Sequence, residues 1–361
     1  MKRPHLNRAV RRALGFRGQV RRTDPAVQDT VGMGAQLDAK PLHHVNFDVK
    51  IKIDARVTVI KNEGRPDEQI ICKNKHNVLR DQGRDYIHQL MFTNALNSAA
   101  GHRSINRIGL STDATAPNAA LTNQVGLITD SGLDNGEATT RTDNGYTGAT
   151  CVVTLSKVFT ATAAKNGIRK SYLVSREQHA TLYFPFVVVH EVAFPSVDMG
   201  IGDTLSFTWV ITVTRQLTGN IVMINAVGSY TGGLGEIIGR IYRDLQSALA
   251  SGTAQFGINA IGLSASAVAP VATATSLPDI FGGNGLALAN GTVAHTGGTN
   301  ITTITNTFTA TVAQANIRKA SLQLSTTAGT SHLFFYGNFD VAKSLQAGDS
   351  MTVTWTMTVQ S

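Results

Sequence analysis

The stretch Gly202-Asp203-Thr204-Leu205-Ser206-Phe207-Thr208-Trp209 returns at the end of the chain as Gly348-Asp349-Ser350-Met351-Thr352-Val353-Thr354-Trp355. In both places Gly-Asp offers a permissive backbone and a side-chain acceptor for turn amides. Beyond the turn, apolar and polar residues alternate. Leu205, Phe207, Trp209, Ile211 and Val213 are apolar, and so are Met351, Val353, Trp355, Met357 and Val359; hydroxyl residues fill most positions between them. A period of two marks a strand with one buried and one wet face. Each strand therefore carries a tryptophan, Trp209 or Trp355, on its inner side, where core packing is the simplest use of an indole.

The correspondence extends backward. Ile105-Asn106-Arg107-Ile108-Gly109-Leu110-Ser111 recurs as Ile258-Asn259-Ala260-Ile261-Gly262-Leu263-Ser264, with Ala116-Pro117 and Ala269-Pro270 after them. Phe159-Thr160-Ala161-Thr162 and Ile168-Arg169-Lys170 recur as Phe308-Thr309-Ala310-Thr311 and Ile317-Arg318-Lys319. The offset shrinks from 153 to 149 to 146 residues, as expected of matched strands joined by loops of unequal length. A period this long is the size of a domain, too large for a solenoid unit. Phe159 and Phe308, like the two tryptophans, are expected in the core.

Ahead of the first copy, Val45, Phe47, Val49, Ile51 and Ile53 alternate with Asn46, Asp48, Lys50 and Lys52, and Asn62-Glu63-Gly64 marks a turn. This reads as a strand or hairpin with one wet face. Tyr86, Ile87, Leu90 and Met91 then share one face of a helix; Ile237, Ile238, Ile241, Leu245 and Leu249 do so in the second copy. The expectation is a mainly β chain: two tandem, related, antiparallel β-sandwich domains of jelly-roll type, each with one helix. The boundaries read as an arm and linker over 1–44, a first module over 45–218 and a second over 219–361.

The net charge of +8 resides in one segment. Lys2, Arg3, Arg8, Arg11, Arg12, Arg17, Arg21 and Arg22 are eight cations with no acid among residues 1–22, and the remainder balances at 24 basic and 24 acidic residues. Residues 1–22 can form a short basic amphipathic helix, marginal in water without a partner, and 23–42 read as an extended linker. This arm is the expected partner-binding element, suited to an acidic protein surface or to a polyanion. No apolar segment succeeds the basic start as a secretory signal requires, and the greasiest run, Leu182 to Val189, is strand-sized and interrupted by Pro185. No membrane partner is expected.

Catalytic chemistry has little support. The histidines are scattered, and HExxH, GxSxG, P-loop, Rossmann and paired CxxC patterns do not occur. Cys72 and Cys151 read as free thiols in strand-like surroundings. The loop Asp130-Ser131-Gly132-Leu133-Asp134-Asn135-Gly136-Glu137 has oxygen ligands in the wrong order for an EF-hand and reads as exposed turns. Arg169-Lys170 and Arg318-Lys319 read as the wet start of equivalent strands, with paired basic patches as the alternative. No catalytic residue, metal or cofactor is expected.

A leading hairpin, Asn77-x-Leu79-x-x-x-Gly83 and a helix, Ile-x-x-Ile-Gly-Leu-Ser with Ala-Pro, Phe-Thr-Ala-Thr, Ile-Arg-Lys and the terminal Gly-Asp-Ser-Met-Thr-Val-Thr-Trp-Thr form a combined pattern. It resembles a group of tailed-bacteriophage virion structural proteins whose module has one helix and a β-sandwich. The likeness covers 45–216, and 225–361 as a second copy. The second copy departs in lacking an obvious leading hairpin and in having Ala320-Ser321-Leu322 where the first has Ser171-Tyr172-Leu173. The resemblance implies a non-enzymatic virion component: a capsid decoration or cement protein that meets the major capsid protein or other virion proteins, oligomerises in the particle, and directs its arm at capsid surface or DNA. A neck, tail or fibre-adaptor protein and a tandem carbohydrate-binding module are the alternatives.

Overall fold

The computed structural model describes residues 42–92, 105, 107–120, 125–147, 149–175, 187–217, 220–223, 257–274, 276–324 and 332–361. The cationic arm, from Lys2 to Arg22, and the second predicted helix lie outside them. The chain opens with β1 (Leu42–Lys61), β2 (Gln69–His76), β3 (Val78–Leu79) and helix α1 (Asp81–Phe92). Then come β4 (Arg107–Ser111), β5 (Gly136–Glu137), β6 (Thr140–Thr147), β7 (Thr150–Thr160), β8 (Lys165–Ser175), β9 (Val187–Met199), β10 (Thr204–Leu217) and β11 (Ile221–Met223). The second half holds β12 (Ile258–Ser264), β13 (Ala289–Asn290), β14 (Thr292–His295), β15 (Ile301–Thr309), β16 (Gln314–Leu324), β17 (Leu333–Leu345) and β18 (Ser350–Gln360). The chain is mainly β, as its alternating sequence predicts. β1 begins at Leu42, inside the segment assigned to arm and linker, because the period-two pattern gains its pairing strand there.

These strands form one eight-stranded sheet, ordered β14-β15-β18-β1-β10-β7-β6 with β2 also on β1, and two five-stranded sheets, β3-β9-β8-β4-β5 and β11-β17-β16-β12-β13. Under the sequence correspondence, β9-β8-β4-β5 and β17-β16-β12-β13 occupy the same order. Both five-stranded sheets pack against the inner face of the large one. Phe194 of β9 meets Phe207 of β10 at 5.8 Å between ring centroids, and Phe335 of β17 meets Trp355 of β18 at 6.2 Å.

β1 holds the halves together. Val49–Lys61 pairs antiparallel with β10. On its other edge, Leu42–Lys52 pairs parallel with β18, and Arg56–Lys61 pairs with β2. Parallel partners need a long crossover, and here it is almost the whole chain. One core cluster runs from β1 through both tryptophans into both smaller sheets. Lys40–Ser361 is a single compact unit, its two halves sharing this core. The cause is that the first half's leading strand also lends an edge to the second half's last strand. β1 thus gives the last strand of the second half an edge partner.

The Asn-x-Leu-x-x-x-Gly segment has a physical reading. Asn77 hydrogen-bonds the buried His190 at 2.6 Å, Leu79 is buried, and Gly83 lies so close to the Val189 backbone that a Cβ there would collide with it. α1 then buries Tyr86, Ile87, Leu90 and Met91, as their spacing predicts. The Gly-Asp turns also behave as read. Gly202 and Gly348 have positive φ, and Asp203 Oδ2 accepts from Gly200 N at 2.8 Å as Asp349 Oδ2 does from Gln346 N at 2.7 Å.

Candidate functional site

Three arrangements stand out from the packing. The first is the outer face of the large sheet. Residues paired across it in register include Thr303 with Thr356, Thr305 with Thr354, Thr307 with Thr352, Thr208 with Ser156, and Thr214 with Thr150. Hydroxyls bond across strands, Thr307 to Thr352 at 2.8 Å and Thr309 to Ser350 at 2.9 Å. Such β-branched ladders stiffen a pleated surface. Along the middle runs β1, whose outward side chains are His44, Asn46, Asp48, Lys50, Lys52, Asp54, Arg56 and Thr58. Arg56 and His76 both reach Asp54, at 3.0 and 2.7 Å. At one end Ile70 and Val158 are exposed. The result is a broad face of threonines crossed by one stripe of mixed charge.

The second is a buried ionic cluster that sequence reading did not anticipate. Lys170, placed on the wet side by its Ile-Arg-Lys triplet, has a side chain only 1% exposed and pairs with Glu191 at 2.8 Å and Asp113 at 2.6 Å. Glu191 is fully buried and takes Arg80 Nε and Nη2 at 3.0 and 2.7 Å on its other oxygen. The Arg80 guanidinium lies 5.5 Å over the Tyr172 ring. Register explains the placement: Tyr172 faces Glu191 and Lys170 faces Ala193, so Lys170, Tyr172 and Glu191 share the side of this sheet turned away from the main core. The bonds from Lys170 and Thr115 hold the Asp113 carboxyl down near 2. Burial pulls Lys170 down, but its bonds to Asp113 and Glu191 outweigh this and raise it above the ordinary lysine value.

The second half has the frame of that cluster without its acids. Ser111 Oγ donates to Val125 O and accepts from Asp113 N; Ser264 Oγ donates to Pro278 O and accepts from Ser266 N, so Ser266 stands where Asp113 does. Tyr336 occupies the register position of Glu191, opposite Ser321. Lys319 is buried too, and donates to Asn338 Oδ1 at 2.7 Å. Burial, then the nearby Arg318, pushes its ammonium below the usual range. Both triplet lysines are therefore buried, correcting the reading of wet strand starts and equally that of paired surface patches. Of the triplet arginines, Arg169 is exposed and Arg318 half-buried.

The third joins α1 to the far edge of the large sheet. His88 stacks on His295 with ring centroids 4.4 Å apart. Thr302 Oγ1 bonds His88 Nδ1 at 2.7 Å, and His295 Nε2 bonds Asp85 Oδ1 at 2.9 Å. Burial, then the neighbouring His295, pushes His88 down to about 3. His190 is likewise lowered to about 3 by burial.

The remaining predicted positions are mostly structural. Trp209 and Trp355 are fully buried, with Phe159 and Phe308 beside them in the core, so neither indole is free to stack on a sugar. Cys151 is buried and Cys72 half-buried. The Asp130 loop is a turn locked to the end of β7, with Thr162 N on Ser131 O at 2.9 Å, and Lys165 occupies the Asp130 carboxylate at 2.9 Å. Among the described residues no helix is long and apolar enough to cross a membrane. Comparison of the chain with family models, curated proteins and solved structures returned no match.

Proposed function

We propose that this chain is a non-enzymatic structural component of a tailed-bacteriophage virion, a decoration or cement protein of the head shell. It is built from a duplicated helix-and-sandwich module behind a basic arm. The observation that carries this reading is the outer face of the eight-stranded sheet, continuous in strand order from β14 of the second half to β6 of the first, with threonine ladders on either side of the charged β1 stripe. A broad polar face makes many contacts that are individually weak, and the repeated sites of a shell multiply them. The mixed charges along β1 would set orientation more than affinity.

The arm complements this face. Its eight cations would engage acidic capsid surface or packaged DNA, with the steep salt dependence of polyion contacts. The major capsid protein is the proposed partner. Copy number tests the reading: quantitative mass spectrometry of purified parent particles should find this chain at on the order of hundreds per particle, matching the shell lattice. A count of about a dozen or fewer belongs to the closed rings of a neck or tail and would displace the shell assignment.

A further inference from the structure

We propose that Lys170 and Asp113 condense to an intramolecular isopeptide bond, with Glu191 and Thr115 as its catalytic residues, so that the first half of the protein carries a covalent staple between β8 and the loop after β4. The ammonium of Lys170 has three hydrogens, and each has an acceptor. Asp113 Oδ2 lies at 2.6 Å, Glu191 Oε1 at 2.8 Å and Thr115 Oγ1 at 3.1 Å. Thr115 closes the circuit: its hydroxyl donates to Asp113 Oδ2 at 2.6 Å and its amide to Asp113 Oδ1 at 3.0 Å. All three charged side chains are at least nine-tenths buried. A nucleophile and an acyl group are thus held together among buried charged groups, with the proton relay, Thr115, at their exposed rim, which is the positioning that proximity catalysis of amide formation needs.

The step balances without any outside reagent. The resting pair is ionic, and one proton passes along the short contact from Lys170 Nζ to Asp113 Oδ2. This leaves an amine and a carboxylic acid, the minor form of a pair that rests ionic, and it is the form that reacts. Nζ then attacks Cγ. The Oδ1 oxyanion forms on the Thr115 amide, and the Glu191 carboxylate compensates the positive nitrogen. A second proton leaves Nζ for Thr115 Oγ1, whose own proton goes to Oδ2. The Cγ–Oδ2 bond breaks and water departs. The third hydrogen stays on the new amide. Arg80 remains paired with Glu191 throughout.

The second half is a built-in comparison. Lys319 touches the carboxamide of Asn338, but Ser266 and Tyr336 replace the two acids, so it has a nucleophile and an acyl group without the relay. It is expected to stay unlinked.

Tryptic peptide mass spectrometry on the full-length protein decides the matter. In wild type, trypsin should no longer cleave after Lys170, and a branched peptide joining the Asp113 and Lys170 segments should appear, lighter than its two parts by one water. Lys319 and Asn338 should be recovered in linear peptides. Glu191→Gln should leave most of the chain linear, and Asp113→Ala all of it. Wild-type digests holding only linear peptides, with cleavage after Lys170 intact, would overturn the proposal and leave the cluster a buried ion network. That result needs no variant to fold. Full linkage in Glu191→Gln would remove Glu191 from the reaction.

Discussion

Phe47 stacks on Trp355 with ring centroids 4.4 Å apart and planes 18° from parallel, although 307 positions of sequence separate them. The contact arises from β1 pairing in parallel with β18, which sets Phe47 opposite Trp355 in register. On the other side the Phe47 ring meets Phe339 at 6.0 Å and lies against Gly337. One phenyl ring therefore joins the leading strand of the first half to two strands of the second.

Phe47→Ala should cost about 3–5 kcal/mol, because walls drawn from different elements cannot all collapse into the space. Denaturant unfolding monitored by tryptophan fluorescence should show one transition at lower midpoint. Since Trp209 and Trp355 belong to one core, both should report it together. Loss of the Trp355 signal alone would mean the halves unfold independently.

Acid should weaken the fold in two overlapping windows. His88 and His190 are held near 3, far below the unfolded value, so between about pH 6.5 and 3 the unfolded chain binds protons that the folded chain refuses. Their neutral forms support the fold fully above that window, and stability falls as pH drops through it, by about 1.4 kcal/mol per histidine per unit at most. Asp203 sits near 2, so what it contributes is present above the ordinary carboxylate range and lost only as pH falls from about 4 toward 2. Urea midpoints measured at intervals from about pH 8 to 4 would show the first window. A flat profile down to about pH 4 would contradict the burial of both imidazoles.

The turns facing the ends of β7 and β15 should tolerate no side chain. Gly132 and Gly285 both have positive φ, and both press on the carbonyl of an equivalent threonine, Thr160 or Thr309. Alanine at either should destabilise by roughly 1–3 kcal/mol through strain and the clash together. Gly167→Ala is the control: it too has positive φ but faces open space, so it should cost about 1 kcal/mol or less. Thermal melts of the three variants would separate the two contributions.

The strands, the Gly-Asp turns, the inward tryptophans and the apolar face of α1 were all legible, because each is written as local periodicity or turn chemistry. Two features were not. The parallel pairing of Leu42–Lys52 with Ser350–Gln360 has no local signature, since nothing in an alternating strand says which distant edge it will take. The buried cluster was hidden by the sound default that a lysine after an arginine faces water. A clue was present nonetheless. Lys170, Tyr172 and Val174 alternate on one side of β8, and β9 begins Val187-Val188-Val189-His190-Glu191-Val192, a run with hardly a wet position. Strands buried on both faces read this way, and a lone lysine and glutamate within them must find each other.

Removing residues 1–22 should leave a neutral body, and the salt dependence of the proposed shell binding should flatten with it. Co-sedimentation with undecorated shells over a series of salt concentrations would measure this. A truncated protein that keeps the full salt slope would relocate the electrostatic contact to the body.

A reconstruction of the parent particle at side-chain resolution bears most directly on the assignment. This chain is expected on the head lattice with the hydroxyl ladders of β15, β18, β10 and β7 pressed against the major capsid protein. Density for the chain in a neck or tail ring, or a shell-bound copy with that face turned to solvent, would contradict it.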